Sequence, residues 1–132
     1  MTGTDRKTLL MVDDDAEMCR FVARVAEAMN YAVEFCTEAD GFLAALERGD
    51  PDVILLDLAM PDTDGIELLR HLSRQHTRAT VFIVSGFDPA IRDMALRLGA
   101  AGNLAMGGII PKPIRAAELR ALLAKPLGTT GD

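Results

Sequence analysis

The sequence predicts an α/β fold: a doubly wound, five-stranded parallel sheet with five helices. Two observations carry this. The runs at residues 8–12, 53–56 and 80–84 are almost wholly apolar and rich in branched side chains, as strands buried on both faces require. Between them lie longer stretches whose apolar residues recur at spacings of three and four. Strands alternating with such helices imply a parallel sheet covered on both sides.

The elements follow in order. The first strand, residues 8–12, ends abruptly in Asp13-Asp14-Asp15. The next helix aligns Met18, Phe21, Val22, Val25 and Met29, is capped by Asp14 or Asp15, and closes at Asn30-Tyr31. Residues 32–36 alternate and read as a second strand, nearer a sheet edge. Thr37, with Asp40 three residues on, resembles a capping box for a helix that buries Phe42, Leu43 and Leu46. Gly49-Asp50-Pro51 stops it, and the third strand begins at Val53. Pro61 and Asp64-Gly65 then turn the chain out of the sheet, into a helix carrying Ile66, Leu68, Leu69 and Leu72.

The fourth strand, residues 80–84, runs into Ser85-Gly86. Asp88-Pro89 gives a cap and a first-turn proline to a helix with Ile91, Met94, Ala95 and Leu98, which Gly99 is placed to end. Residues 100–108 are small, glycine-rich and irregular. Ile109-Ile110 make a short last strand closed by Pro111-Lys112-Pro113, before a helix with Leu119, Leu122 and Leu123. On this reading residues 1–7 are a polar extension, 8–124 the domain and 125–132 a C-terminal tail.

Composition narrows the function classes. Fourteen Lys and Arg against twenty Asp and Glu leave a net charge of −6, and Trp is absent. Both argue against nucleic-acid binding, by bulk charge or by base stacking. Cys19 and Cys36 are too few for a disulfide framework and read as reduced core residues. The polar start leads into an apolar run of only residues 9–12, too short for a signal peptide or a membrane span. A cytoplasmic protein without membrane contacts is expected.

Parallel α/β sheets bind ligands outside the carboxyl ends of their strands. That rim here would collect Asp13, Asp14, Asp57, Ser85 and Lys112. Carboxylates so placed repel one another unless a positive group sits among them. A hard cation such as Mg²⁺ answers this, because it takes oxygen ligands and commonly joins carboxylates to phosphate oxygens. Lys112 adds a second positive charge and Ser85 a hydroxyl donor, so the group is able to hold a phosphoryl group in transfer. Asp57 is then the nucleophile, giving an aspartyl phosphate. Each member alone has a plainer reading. Asp57 and the Asp13-Asp14 pair resemble caps, Ser85 a turn residue, and Lys112 a solvated loop residue. Their joint occurrence at successive strand ends favours the site.

The same marks resemble those of the receiver domains of two-component response regulators, over about residues 8–124. They are Asp13-Asp14, Asp57 with Met60-Pro61 and Asp64-Gly65, Ser85-Gly86, and Lys112-Pro113. The resemblance implies a flavodoxin-like receiver fold in which Asp57 takes a phosphoryl group from a histidine kinase or a histidine phosphotransfer protein. It implies Mg²⁺ held by Asp14, Asp57 and the Ala59 backbone carbonyl, with Asp13 acting through water. Ser85 and Lys112 would bind phosphoryl oxygens, and the Lys112–Pro113 peptide is a candidate for the cis form. The output would be a downstream protein target or a fused output domain, through a face formed by the last two helices and strand. Such a domain catalyses only its own phosphotransfer and dephosphorylation.

Three features depart from the family pattern or bear on lifetime. The aromatic residue often found three positions before the lysine is here Ile109, which implies a different or weaker route of signalling. Residues 100–108 look like an insertion before the last strand, one that reshapes a partner surface or is simply a tolerated loop. Ala59 and Phe87 offer no group to orient an attacking water, and Phe87 is placed to shield the site, so slow self-dephosphorylation is expected.

Two other functions compete. An aspartate-nucleophile phosphohydrolase shares this chemistry, and Asp13-x-Asp15 faintly resembles its motif, but the chain lacks a substrate-covering insertion. A receiver-like interaction module that is never phosphorylated is the second. A calcium loop at Asp62-x-Asp64-Gly65 fails, because Met60 and His71 occupy its first and last ligand positions. His71 and His76 read as surface residues.

Overall fold

A computed structural model describes residues 6–61, 63–86 and 88–125. Most of the expected N-terminal extension and C-terminal tail, and Phe87 with its expected shielding role, lie outside the described residues. The chain alternates β1 (Lys7–Val12), α1 (Ala16–Ala28), β2 (Tyr31–Cys36), α2 (Ala39–Arg48), β3 (Val53–Asp57), α3 (Gly65–Arg74), β4 (Thr80–Ser85), α4 (Pro89–Ala101), β5 (Ala105–Pro111) and α5 (Ala116–Leu123). All strand pairs are parallel, in the order β2-β1-β3-β4-β5. The expected architecture holds, and β2 is an edge strand.

Side-chain alternation along the strands divides the core. Leu10, Val12, Ile54, Leu56, Val81 and Ile83 pack beneath α2, α3 and α4 with Phe42, Leu69, Leu72 and Ala95. Leu9, Met11, Val53, Leu55, Phe82, Val84 and Ile110 face α1 and α5, with Cys19, Val22 and Leu119. Every residue of β3 and β4 is buried. That is why these strands read as continuous apolar runs. The Tyr31 hydroxyl crosses the second layer to the Leu123 carbonyl at 2.9 Å, tying the end of α5 to the edge strand.

Side-chain capping explains three of the five helix starts. Asp15, Asp64 and Asp88 each accept backbone N–H bonds at the starts of α1, α3 and α4, and Pro89 occupies the first turn of α4. Gly65 is required by close approach, since a Cβ there would lie 2.8 Å from the Leu58 Cα. This contact folds the start of α3 against the loop that follows Asp57.

Three local expectations are corrected. The Thr37–Asp40 capping box does not form; Glu38 is the N-cap of α2 and makes no side-chain cap bond. Gly99 does not end α4, which runs to Ala101 and caps at Gly102. Gly99 lies inside the helix because a Cβ there would meet the Met106 sulfur at 2.3 Å. Residues 100–108 are not a loop insertion: they complete α4 and begin β5, a strand of seven residues rather than the expected pair. The excess is absorbed by a register shift against Val81 and Phe82, where Gly108 takes φ +126° and the Phe82 ring fills the place of a Gly107 side chain. On the apolar stripe of α4, Ile91 and Met94 are 40% and 45% exposed.

Candidate functional site

The strand order places a topological switch between β1 and β3, the crevice where α/β sheets bind ligands. Asp13 follows β1 and Asp57 ends β3, so both reach this crevice, and both are fully buried. Ser85 ends the adjacent β4, one residue beyond Val84, the partner of Asp57. It is also buried, and its carbonyl accepts the Lys112 N–H at 2.9 Å. That bond sets the loop after β5 beside the site, and the Lys112–Pro113 peptide there is cis.

Each buried carboxylate has one oxygen tied and one open. Asp13 Oδ1 accepts the Asp15 N–H at 2.9 Å, and Asp57 Oδ1 accepts the Ala59 N–H at 2.9 Å. Their Oδ2 atoms are buried without a well-aligned hydrogen bond. Lys112 Nζ faces both, 3.3 Å from Asp13 Oδ2 and 3.2 Å from Asp57 Oδ2. One ammonium shared at ion-pair distance leaves both oxygens short of partners. Asp14 is exposed, yet a carboxylate oxygen of each of Asp13, Asp14 and Asp57 lies within 4.8 Å of the others. Three hard oxygen donors, two of them buried and undersatisfied, suit a hard divalent cation such as Mg²⁺. Ala59 is exposed beside them.

Electrostatics reflect this crowding. Burial pushes the Asp13 carboxyl up to about 6; Asp57 adds to the effect, while the Asp15 N–H and Lys112 oppose it. Burial acts to lower the Lys112 pKa, but Asp57 and Asp13 outweigh it and raise the pKa, so the lysine stays charged. Burial, with Asp13 and Asp15, pushes the Cys19 thiol up to about 12. It therefore stays protonated, donating to the Asp13 carbonyl at 3.5 Å, and is neither nucleophile nor metal ligand.

The Asp13 shift has a measurable consequence. The folded chain binds this proton more tightly than the unfolded chain does, so the stability it confers is present below about pH 4 and lost as pH rises through about 6. The full change is on the order of 3 kcal/mol. Urea unfolding in EDTA should therefore show wild type losing stability relative to Asp13→Asn across that window. At pH 7, Mg²⁺ should stabilise wild type more than the variant. A difference between the two proteins that does not vary with pH would contradict the assignment.

The structure thus brings together Asp13, Asp14, Asp57 and Lys112, with Ser85 and Ala59 on adjoining positions. The charged members were legible because they end apolar runs. The backbone donors of Asp15 and Ala59 and the Cys19 thiol carry no signal in residue identity.

A family model described as the response regulator receiver domain matches residues 9–124. The chain belongs to this family. The receiver is 31% identical over 99 residues to the transcriptional regulatory protein ResD of Bacillus subtilis (strain 168), covering 75% of this chain and 41% of that protein. It is 29% identical over 129 residues to the probable transcriptional regulatory protein TcrX of Mycobacterium tuberculosis, covering 95% and 53%. A response regulator from Colwellia psychrerythraea of solved structure is 30% identical, with a TM-score of 0.76 over 89% of this chain and 94% of that one. The receiver spans about half or less of the two curated relatives. No described helix is long and apolar enough to cross a membrane.

Proposed function

We propose that Asp57 is the phosphoacceptor of this receiver domain and that phosphorylation changes which protein surface it offers. The observation that carries this is the Asp57 Oδ2 atom, buried, undersatisfied and 3.2 Å from the Lys112 ammonium. A carboxylate oxygen in that state is a nucleophile with a fixed counter-charge.

In the proposed step, Oδ2 attacks the phosphorus of a phosphohistidine on a histidine kinase or a histidine phosphotransfer protein. A P–O bond forms to Asp57, the P–N bond to the imidazole breaks, and the histidine nitrogen takes up a proton. Lys112 balances one phosphoryl oxygen, and the Ser85 hydroxyl donates to another. Asp14, Asp57 and the Ala59 carbonyl would hold Mg²⁺, with Asp13 acting through water. The bound ion would supply positive charge to the equatorial oxygens. The Ala59 N–H keeps the attacking carboxylate oriented through Oδ1. The receiver catalyses only its own phosphorylation and dephosphorylation, and its output passes to a protein target or a fused output domain.

Intact mass after incubation with acetyl phosphate tests this reading. A gain of one phosphoryl group with Mg²⁺, lost when EDTA replaces the metal, is expected. No gain with any small donor would favour the unphosphorylated interaction module.

A further inference from the structure

Ile91, Met94 and Leu98 of α4 are spaced by three and four residues and so form one stripe. Its next position is Gly102, whose carbonyl accepts the Ser73 hydroxyl at 2.9 Å, so this stripe faces α3. Leu98 meets Leu69, Arg70, Ser73 and Arg74 around a groove of about 200 Å³ between the two helices. Toward the start of α4 the stripe is uncovered. Among the described residues, the exposed large apolar side chains are Ile91 and Met94, at 40% and 45%.

Charge distinguishes the segment from α3 to α4 from the rest of the chain. Residues 65–101 hold five arginines, at 70, 74, 78, 92 and 97, against Glu67, Asp88 and Asp93, a balance of +2. With −6 overall, the remainder carries −8. Arg70 and Arg74 both pair with Glu67, at 3.6 and 3.2 Å, and all three side chains are more than half exposed. Ion pairs of that kind contribute little and re-pair readily with other carboxylates.

We propose that the α3–α4 groove docks an amphipathic helix of a partner protein whose apolar stripe is flanked by Asp and Glu. The groove is too small for a typical organic ligand but fits one or two side chains inserted from a helix. Ile91 and Met94 extend the apolar track, and Arg70 and Arg74 border it. A second copy of this chain fits poorly, because a two-fold contact through this face would set these arginines against each other. The proposal does not depend on Asp57 being phosphorylated.

The test uses the full chain and labelled helical peptides of about eighteen residues, roughly five turns. Each peptide carries a leucine stripe flanked either by Glu or by Lys. The Glu peptide should bind, with backbone amide shifts concentrated at Arg70, Ser73, Ile91, Met94 and Leu98. The Lys peptide should not bind. The double variant Ile91→Ser, Met94→Ser should weaken binding by about tenfold or more, as loss of central anchors does. Arg70→Ala with Arg74→Ala should remove most of the salt dependence. These are surface positions, and unchanged melting of each variant would confirm that it folds. Equal binding of both peptides, no binding, or shifts confined to β5 and α5 would each overturn the proposal. So would concentration-dependent self-association abolished by Met94→Ser, which would make a second copy the occupant.

Discussion

Asp57→Asn is expected to take up no phosphoryl group under conditions in which wild type is fully modified. The neighbouring acids cannot substitute for it. Asp13 shares the tied Oδ1 and the open Oδ2 beside Lys112, but it follows β1, on the far side of β3 from Ser85, whereas Asp57 pairs with Val84 next to that hydroxyl. Asp14 is exposed, and the ion pairs of Lys112 go to Asp13 and Asp57. Only Asp57 joins an open oxygen beside the lysine to a strand position next to Ser85. Asparagine keeps the shape and removes the nucleophile, so the fold should survive. Intact mass alongside circular dichroism checks both points. Phosphoryl uptake by a folded Asp57→Asn variant would move the acceptor elsewhere.

Lys112→Met is expected to slow phosphoryl uptake from a small donor by about 10²–10³-fold, the usual cost of losing one preorganised charge at a transition state. Methionine preserves length and removes the ammonium that lies 3.2 Å from Asp57 Oδ2. Metal loss would not explain the defect. Without the lysine, the Asp13 and Asp57 carboxylates have less positive charge nearby, and Mg²⁺ should bind at least as tightly. The rate follows from the time course of intact mass, and metal affinity from calorimetric titration. A rate within about threefold of wild type would show that the lysine is structural rather than electrostatic in this step.

Much of this was legible in the sequence, for a physical reason. Strands buried on both faces leave uninterrupted apolar runs, so the charged residues that end them, Asp13 and Asp57, stand out. Lys112 was legible from its place between two prolines after the last apolar pair. What stayed hidden was set by distant contacts. Gly99 resembled a helix stop, but its missing side chain makes room for Met106. The length of β5 was obscured by two glycines, and the shift they allow is fitted to the ring of Phe82, more than twenty residues earlier. Periodicity marked Ile91 and Met94 as one apolar face of α4, but it does not say whether anything covers that face. The exposed stripe therefore emerged only from the packing.

The most direct test of the central claim is to locate the modified residue. Borohydride reduces an aspartyl phosphate to homoserine, which remains at that position through proteolysis and peptide mass analysis. After treatment with acetyl phosphate and Mg²⁺, homoserine at position 57 is the expected result. Homoserine at another aspartate, or none from protein that has gained a phosphoryl group, would contradict Asp57 as the acceptor.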